Sequence, residues 1–236
     1  MGFLAEIVMK RFVIGDIHGA YKALQQVIKK SSIDYKDQLI CLGDVCDGWT
    51  EVPECFNELL KFKNLIYVMG NHDQWTLNWF NDGSMPDIWT SQGGKNTIKA
   101  YRRIDNFEME KKHQNLLINA RPYYLSDDNK LFVHGGFSPH VPINKQALYN
   151  LIWDRDLFYS YRVFPFVDDQ YNEIFIGHTT TSYYQEDLTP FHIRNLWNLD
   201  QGAGWEGKLT LMNVDTKEYF QSDIVSTLYP NEKGRR

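Results

Sequence analysis

The sequence predicts an α/β fold, and two features of its pattern support this class. Over the first 70 residues, short apolar strands alternate with amphipathic helices, whereas the chain after Arg121 is rich in strands. The stretch between these parts, residues 73–120, has the pattern of short helices. A chain of 236 residues with 43% hydrophobic content can bury one full core. We therefore expect a single domain, 1–236, with a helical insertion at 73–120.

The first part of the chain alternates between strands and helices. Strands are expected at three apolar runs, residues 11–14, 37–43 and 64–70. Two helices are expected between them, at 20–30 and at 51–62, and Pro53 suits the start of the second. This order predicts a largely parallel sheet covered by helices.

The part after Arg121 is expected to consist mostly of strands. The segment YYLSDDNKLFVHGG indicates a hairpin that turns near Asp128 and Asn129, and a helix is expected at 145–153. Four further strand segments follow, of which we expect the last three to be antiparallel neighbours: NEIFIGHT, FHIRNLWNLD, KLTLMNVDT and EYFQSD. The final stretch, YPNEKGRR, has little to bury, so we expect it to be mobile.

Composition and charge argue against several classes of protein. The formal net charge of −5 gives no broad basic surface, so nucleic-acid binding is not expected. The cysteines are too few for a disulfide framework, and we interpret Cys41, Cys46 and Cys55 as buried thiols of a reducing compartment. Glu6 and Lys10 interrupt the apolar N-terminal stretch well short of a membrane-spanning length, and no cleavage site follows. We expect a cytoplasmic protein without membrane contact, of unknown oligomeric state.

Five of the predicted strands end in the same way, with glycine beside aspartate, asparagine or histidine. The five ends are Gly15-Asp16-Ile17-His18-Gly19, Gly43-Asp44-Val45-Cys46-Asp47-Gly48, Gly70-Asn71-His72-Asp73, His134-Gly135-Gly136 and Gly177-His178-Thr179. In open α/β sheets, ligands bind beyond the carboxyl ends of the strands. We therefore expect these side chains to converge on one crevice.

Side chains at these strand ends form a set of metal ligands. Two aspartates, one asparagine and three histidines suit manganese, iron or zinc and contain too much nitrogen for calcium: Asp16, His18, Asp44, Asn71, His134 and His178. Because the set exceeds four ligands, we expect two divalent metal ions, and Asp44 could bridge them. Such a pair activates a shared water and clamps phosphoryl oxygens, which is the chemistry of phosphoester hydrolysis.

Each motif taken alone has a plainer interpretation. A single Gly-Asp-x-His-Gly is equally well explained by a polar turn, and an isolated His-Gly-Gly or Gly-His-Thr is more often a turn histidine than a ligand. Because these motifs occur together in one chain, each directly after a predicted strand, the metal site is the favoured interpretation. Cys46 lies between two site aspartates, and we interpret it as a buried or supporting thiol rather than a ligand. Three histidines lack this context and are interpreted as surface or structural: His113, His140 and His192.

These residues resemble the calcineurin-like metallophosphoesterase superfamily, specifically the phosphoprotein phosphatase branch with its bacterial and phage members and the symmetrical diadenosine tetraphosphatases. The resemblance extends over roughly residues 11–223 and includes three further segments, WTSQGGKNTIKAY, LIWDRD and NLDQGAGWEGKLTLMNVDT. The first of these is similar to the helical cap signature of the family. The resemblance implies a β-sandwich of two mixed sheets flanked by helices, in α-β-β-α layers, with a small helical cap.

The resemblance also implies a role for each residue of the site. Two metal ions would be held by the six ligands already named, Asp16 and His18 on the first, Asn71, His134 and His178 on the second, and Asp44 between both. A hydroxide bridging the metals would attack phosphorus in line with the leaving group. His72 would be the general acid that protonates the leaving oxygen, and Asp47 would orient His72.

Two positions depart from the family pattern. Gly48 and Trp49 stand where phosphoprotein phosphatases usually have Arg-Gly, so an arginine that grips phosphate oxygens is missing. Asp73 replaces the usual glutamate, which is a milder change. Arg155, in LIWDRD, matches another family arginine and would carry the phosphate contact alone. Weaker candidates, more simply interpreted as surface residues, are Arg102, Arg103 and Arg121.

The favoured function is a metal-dependent phosphoester hydrolase. We expect a phosphomonoesterase or serine/threonine protein phosphatase whose substrate is a phosphoprotein, a small phosphoester or a nucleotide, with manganese as the first expectation for the metal and iron or zinc next. A first alternative keeps the metal centre but cleaves a dinucleoside polyphosphate symmetrically, or a phosphodiester. A second alternative is a non-catalytic phosphate-binding scaffold, for which Gly48 is the single argument.

Overall fold

Two five-stranded mixed sheets form the centre of the protein in a computed structural model that describes residues 9–104, 106–164 and 168–235. The strands are β1 (Arg11–Ile14), β2 (Gln38–Cys41), β3 (Asn64–Tyr67), β4 (Tyr124–Leu125), β5 (Lys130–Phe132), β6 (Glu173–Ile176), β7 (Phe191–Ile193), β8 (Leu196–Asn198), β9 (Thr210–Asn213) and β10 (Tyr219–Gln221). The first sheet has the order β10-β9-β1-β2-β3, and the second has the order β4-β5-β6-β8-β7. The predicted α/β class with two mixed sheets is confirmed.

Helices connect the strands and cover the sheets. They are α1 (Tyr21–Ser31), α2 (Val52–Leu59), α3 (Asn71–Asp82), α4 (Asp87–Trp89), α5 (Lys95–Arg102), α6 (Phe107–Ile118), α7 (Leu148–Trp153), α8 (Asp156–Val163) and α9 (Val225–Leu228). A π-helical stretch, Thr90–Gly94, joins α4 to α5, and short 3-10 turns lie at Ile143–Lys145 and Thr181–Tyr183. Helices α3 to α6 occupy the predicted insertion at 73–120. That this insertion is a cap within a single domain, 1–236, stays a prediction.

The hydrophobic core has three parts, one between the sheets and one on each outer face. Alternate residues of a strand point to opposite faces. Val13 and Ile40 therefore face the second sheet, where they lie in one cluster with Phe132 and Phe175, whose rings stack with their centroids 4.8 Å apart. The outer face of the first sheet packs against α1 and α2, and that of the second packs against α7 and α8. This packing gives the expected α-β-β-α layers.

Strand pairing agrees with the predicted parallel start and differs near the end of the chain. The strands β1, β2 and β3 pair in parallel. The segment FHIRNLWNLD, however, folds into two strands, β7 and β8, which pair antiparallel around a turn where Arg194 has a φ of +55°. They belong to the second sheet, whereas β9 and β10 pair in the first. The expectation of three antiparallel neighbours is therefore wrong.

The last described residues pack on the protein, contrary to the mobility expected for YPNEKGRR. Tyr229 is only 3% exposed, and its ring stacks on Trp49 with centroids 4.9 Å apart. Glu232 accepts hydrogen bonds from the backbone and hydroxyl of Thr50, at 3.2 and 3.0 Å. The aromatic contact outweighs the polar composition of this stretch. We call the end of the described chain, from the start of α9 to Arg235, the 225–235 segment.

The predictions about the cysteines and about membrane contact can also be compared with the structure. The three cysteines are free and buried, as predicted. Within the described ranges, no helix has the length and apolar character needed to cross a bilayer. The apolar stretch with Glu6 lies outside the described residues, so its interpretation stays a prediction.

His113 is a buried structural histidine that should affect how stability depends on pH. Its Nδ1 lies 2.8 Å from the Tyr101 hydroxyl and its Nε2 lies 3.0 Å from Oδ1 of Asn57. Burial lowers the pKa of His113 to about 4. Because histidine in the unfolded chain titrates near 6.5, a fall in pH between these values protonates the unfolded chain first and destabilises the fold, by about 2 kcal/mol at pH 5.

We therefore expect the variant His113→Gln to lose less stability between pH 7 and pH 5 than the parent protein. The difference should be about 2 kcal/mol in the free energy of unfolding, measured by urea denaturation at both pH values. His192→Gln is the matched control, since His192 is exposed and stacks on Trp197 at 3.8 Å. If the free energy of unfolding changes equally with pH in both variants and the parent, the pKa of His113 is not lowered in the folded protein.

Candidate metal centre

The six predicted ligands meet where the two sheets approach each other. Each lies just after a strand of the first or second sheet: Asp16 and His18 after β1, Asp44 after β2, Asn71 after β3, His134 after β5 and His178 after β6. All are buried, none being more than 6% exposed. The structure therefore brings together all six residues that the strand ends predicted.

The ligand atoms form two groups that share one aspartate. Donor atoms of Asp16, His18 and Asp44 all lie within 4.8 Å of one another, and so do those of Asp44, His134 and His178. Asn71 joins the second group, because its Oδ1 lies 3.1 Å from Nε2 of His134. Two overlapping groups with a common carboxylate are the arrangement that a pair of metal ions requires.

Hydrogen bonds set which ring nitrogen of each histidine faces the site. Nδ1 of His18 lies 2.9 Å from the Cys46 carbonyl, and Nδ1 of His134 lies 2.8 Å from the Leu42 carbonyl. A carbonyl oxygen can only accept, so each ring donates from Nδ1, and Nε2 faces the site. Nε2 of His178 is buried and has no hydrogen-bond partner in the described part of the chain. A metal ion would satisfy all three nitrogens.

The charges of the site also fit cations. Burial raises the pKa of Asp16 well above its usual value, and the nearby Asp200 carboxylate raises it further. Burial acts in the same direction on Asp44, but attraction to His134 opposes burial, and the pKa of Asp44 is held low. Burial lowers the pKa of His134, and Asp44 more than reverses this and raises it to about 9. Divalent cations bound in this buried pocket would displace the protons held by Asp16 and His134 and stabilise the charged carboxylates.

Backbone strain is concentrated at the same place. Four residues of the motifs other than glycine have positive φ angles: +51° at His18, +50° at Asp44, +67° at Asp47 and +64° at His178. Residues other than glycine rarely adopt this region, at a cost of about 1–3 kcal/mol each. Surrounding contacts must therefore hold these side chains in position.

Asp73 supplies such contacts for the loop that carries Asp44. Its carboxylate accepts the backbone N–H groups of Asp44 at 2.8 Å, Val45 at 3.0 Å and Cys46 at 3.2 Å. The side chain is fully buried. The departure from glutamate at this position therefore keeps a carboxylate, which anchors the loop through several charge-assisted hydrogen bonds.

His72 lies beside the ligands but belongs to neither group. Its Nδ1 is 2.7 Å from Oδ2 of Asp47, which also accepts from Trp89 Nε1 at 2.6 Å and, through its other oxygen, from the Thr97 hydroxyl at 2.6 Å. Burial lowers the pKa of His72, and the charge of Arg235 lowers it further. The hydrogen bond to Asp47 fixes the ring through Nδ1, so that Nε2 faces the pocket.

Of the predicted arginines, Arg155 is the one that the structure places at the site. Its guanidinium donates to the His178 carbonyl and the Thr179 hydroxyl, both at 3.0 Å. It borders a cavity of about 360 Å³ that His178 also lines. The weaker candidates lie elsewhere: Arg102 and Arg103 line a different cavity, and Arg121 is exposed beside the Tyr124 ring.

The sequence profile of the calcineurin-like phosphoesterases matches residues 9–205 of this chain. The chain belongs to this family. Calcineurin-like phosphoesterases depend on metal ions, and the predicted family is confirmed. As a member of the family, the protein is identified as a hydrolase.

Curated relatives of this calcineurin-like phosphoesterase include bis(5'-nucleosyl)-tetraphosphatases and serine/threonine-protein phosphatases. The chain is 24% identical over 236 residues to the asymmetrical bis(5'-nucleosyl)-tetraphosphatase PrpE of Oceanobacillus iheyensis, covering 89% of this chain and 91% of that protein. It is 31% identical over 84 residues to serine/threonine-protein phosphatase 1 of Salmonella typhimurium, covering 35% and 38%. It is 28% identical over 142 residues to a symmetrical bis(5'-nucleosyl)-tetraphosphatase of Pasteurella multocida, covering 56% and 46%. The last two matches span less than half of the relatives' length.

Solved structures show the same fold. A metallophosphoesterase from Sphaerobacter thermophilus matches with a TM-score of 0.57 and 17% identity, over 92% of this chain and 89% of the other. A cold-active protein-tyrosine phosphatase of a psychrophilic Shewanella also matches with a TM-score of 0.57 and 17% identity, over 91% and 81%. At this identity, the likeness concerns the fold of the calcineurin-like phosphoesterases.

Two buried or half-buried polar residues at the site escaped the sequence analysis, Asp200 and Arg235. Asp200 follows β8, so it carries the same strand-end signal as the ligands, without a flanking histidine. Arg235 lies in the 225–235 segment and has no local signal of this kind. The thiol of Cys46 belongs to neither ligand group, while its carbonyl holds His18. His140 and His192 are exposed.

Proposed function

We propose that this calcineurin-like phosphoesterase hydrolyses phosphomonoesters, including phosphoserine or phosphothreonine in proteins, at a centre that holds two manganese ions. The observation that carries the proposal is the pair of ligand groups sharing Asp44. Asp16 and His18 would complete one metal site, and Asn71, His134 and His178 the other. Divalent cations bound there would supply an activated water and neutralise the charge on the phosphoryl oxygens.

The remaining residues position the substrate and handle a proton. Asp47 holds the ring of His72 through Nδ1 and would stabilise the imidazolium, so that Nε2, once protonated, faces the pocket and can give its proton to the leaving oxygen. Arg155 lies at the cavity mouth next to His178 and can donate to a phosphate oxygen. The ligands and His72 are buried, and the lower local dielectric strengthens each of these interactions. A non-catalytic scaffold would have no use for a complete ligand set with an oriented histidine.

A second candidate function is the hydrolysis of dinucleoside polyphosphates. One relative, which aligns over nine-tenths of its own length, is named as an asymmetrical bis(5'-nucleosyl)-tetraphosphatase. The same metal ligands and His72 would serve, since the reaction again transfers a phosphoryl group to water. The products would show where diadenosine tetraphosphate is cleaved. Symmetrical cleavage yields two ADP, whereas asymmetrical cleavage yields ATP and AMP.

Both candidates are tested by one substrate panel on protein loaded with manganese. The panel contains a phosphoserine peptide, p-nitrophenyl phosphate, bis-p-nitrophenyl phosphate and diadenosine tetraphosphate, and metal content is measured on the same preparation. We expect two ions per chain, highest kcat/KM on a monoester, and loss of activity after chelation with recovery on adding manganese. Highest activity on diadenosine tetraphosphate would establish the second candidate instead. Loaded protein that acts on none of the four would overturn both.

A further inference from the structure

Arg235 places a second guanidinium in the candidate metal centre. One of its terminal nitrogens lies 2.8 Å from Nε2 of His72 and 3.1 Å from Oε1 of Gln92, and the other lies 3.3 Å from Nε2 of His18. Its guanidinium carbon lies 5.0 Å from the centre of the Trp205 ring. Arg235 thus reaches both the predicted general acid and a predicted metal ligand.

This guanidinium interacts electrostatically with the Asp47 and Asp200 carboxylates but makes no salt bridge within the described part of the chain. Among the described residues, no carboxylate lies within ion-pair distance of Arg235. Its Nε is buried and makes no hydrogen bond to any described residue. A partly buried cation that is hydrogen-bonded to neutral groups gains most from an anion that enters the pocket. Arg155 and Arg235 line the same cavity of about 360 Å³, so the anion would meet two guanidinium groups.

The loop that lacks the family arginine holds Arg235 instead. Gly48 has a φ of +114°, a conformation that side chains rarely adopt, so this backbone does not suit an arginine. A Cβ atom at Gly48 would lie 3.1 Å from Cγ of Arg235, which shows that Arg235 fills the space beside it.

The residues after Gly48 fasten the 225–235 segment. Trp49 stacks on Tyr229, the Tyr229 hydroxyl donates to Glu51, and Thr50 donates to Glu232. The backbone N–H of Arg235 donates to the Gly204 carbonyl at 3.0 Å, so the end of the segment is fixed next to the pocket. These contacts pre-organise Arg235, which lowers the entropy lost when it binds a ligand.

We propose that Arg235 is a substrate-binding residue that grips phosphate oxygens opposite Arg155, in place of the arginine missing at position 48. The proposal rests on the proposed function, because it requires a phosphate group in this pocket. An oxyanion offers Arg235 a charge-assisted hydrogen bond, which is about twice as strong as a bond to neutral imidazole. Arg235 would then bind the oxyanion and leave Nε2 of His72 free to face the leaving oxygen.

The test compares Arg235→Ala and Arg235→Lys with Lys233→Ala in protein loaded with manganese. Lys233 is exposed and lies two residues away in the same segment, so it controls for loss of a positive charge. Binding of inorganic phosphate is measured by isothermal titration calorimetry, and KM and kcat are measured with p-nitrophenyl phosphate. Metal content and the melting temperature verify that each variant is folded and loaded.

We expect Arg235→Ala to weaken phosphate binding by about 10–100-fold and to raise KM by a similar factor. Arg235→Lys should recover part of the affinity, because a lysine keeps the charge but not the two-pronged geometry. Lys233→Ala should match the parent. Phosphate affinity that is unchanged or tighter in Arg235→Ala would overturn the proposal.

Arg155→Ala separates the failure of this proposal from a failure of the proposed function. If Arg155→Ala weakens phosphate binding and Arg235→Ala does not, the site binds phosphate and Arg235 has no part in it, so the proposal is wrong while the function stands. If the loaded parent protein neither binds phosphate nor hydrolyses any substrate of the panel, the function itself is wrong. If Arg235→Ala melts at a lower temperature, Arg235→Lys decides: an affinity equal to that of the parent would indicate a structural role and overturn the proposal.

Discussion

Asp44→Asn is expected to leave at most one metal ion bound and to reduce kcat by about 10³-fold or more. Asp44 is the carboxylate common to both ligand groups. Asparagine has nearly the same shape and tolerates the φ of +50°, but it offers one neutral oxygen in place of a shared negative charge. Loss of the charge stabilisation from one cation is worth several kcal/mol in the transition state, and each 1.36 kcal/mol is a factor of ten in rate.

Metal content after gel filtration and kcat with p-nitrophenyl phosphate check this prediction. Circular dichroism verifies the fold, because Asp44 also accepts the backbone N–H of His72 at 2.9 Å, a bond that the asparagine oxygen can still make. The matched control is Asp169→Asn, at an exposed aspartate outside the site. Two bound ions with parental activity in Asp44→Asn would refute a bridging role.

His72→Ala is expected to reduce kcat by about 10²–10⁴-fold while the metal content stays at the parental value. The retention of metal follows from geometry, because neither ligand group contains His72. The loss should depend on the leaving group. An alkoxide such as that of serine needs a proton as it departs, whereas p-nitrophenolate is stable without one, so the phosphoserine peptide should suffer more than p-nitrophenyl phosphate.

The measurement is kcat for both substrates in His72→Ala and in His192→Ala, whose histidine is exposed on β7. The control should behave as the parent. Equal losses on the two substrates would point to a role other than proton donation, and a kcat within twofold of the parent would end the assignment of His72 as general acid.

The metal ligands could be predicted because their signal is local. Asp16, Asp44 and His134 each follow a short apolar strand within a glycine-rich turn, and the convergence of strand ends is a general property of α/β sheets. The strained backbone at Asp44 could not be predicted in the same way. It depends on Asp73, whose carboxylate holds the loop from 29 residues away in the sequence.

The predictions for FHIRNLWNLD and YPNEKGRR were wrong for a common reason, which is packing between segments that are far apart in the sequence. The turn at Arg194 splits one predicted strand in two without glycine or proline to mark it. Likewise, YPNEKGRR has the composition of a mobile stretch, and its order depends on the stacking of Tyr229 on Trp49, 180 positions away along the chain. For this reason Arg155 was found from its own motif, whereas Arg235 was visible only in the structure.

The distribution of the ligands between the sheets has a consequence for folding. Asp16, His18, Asp44 and Asn71 extend from strands of the first sheet, whereas His134 and His178 extend from the second, and an apolar layer that includes Val13 and Phe175 lies between these halves. Loading with metal would therefore cross-link the sandwich and couple the assembly of its halves to the supply of cofactor. Freshly made chains without metal would be the form most open to proteases, and resistance to digestion would report loading before any turnover is measured.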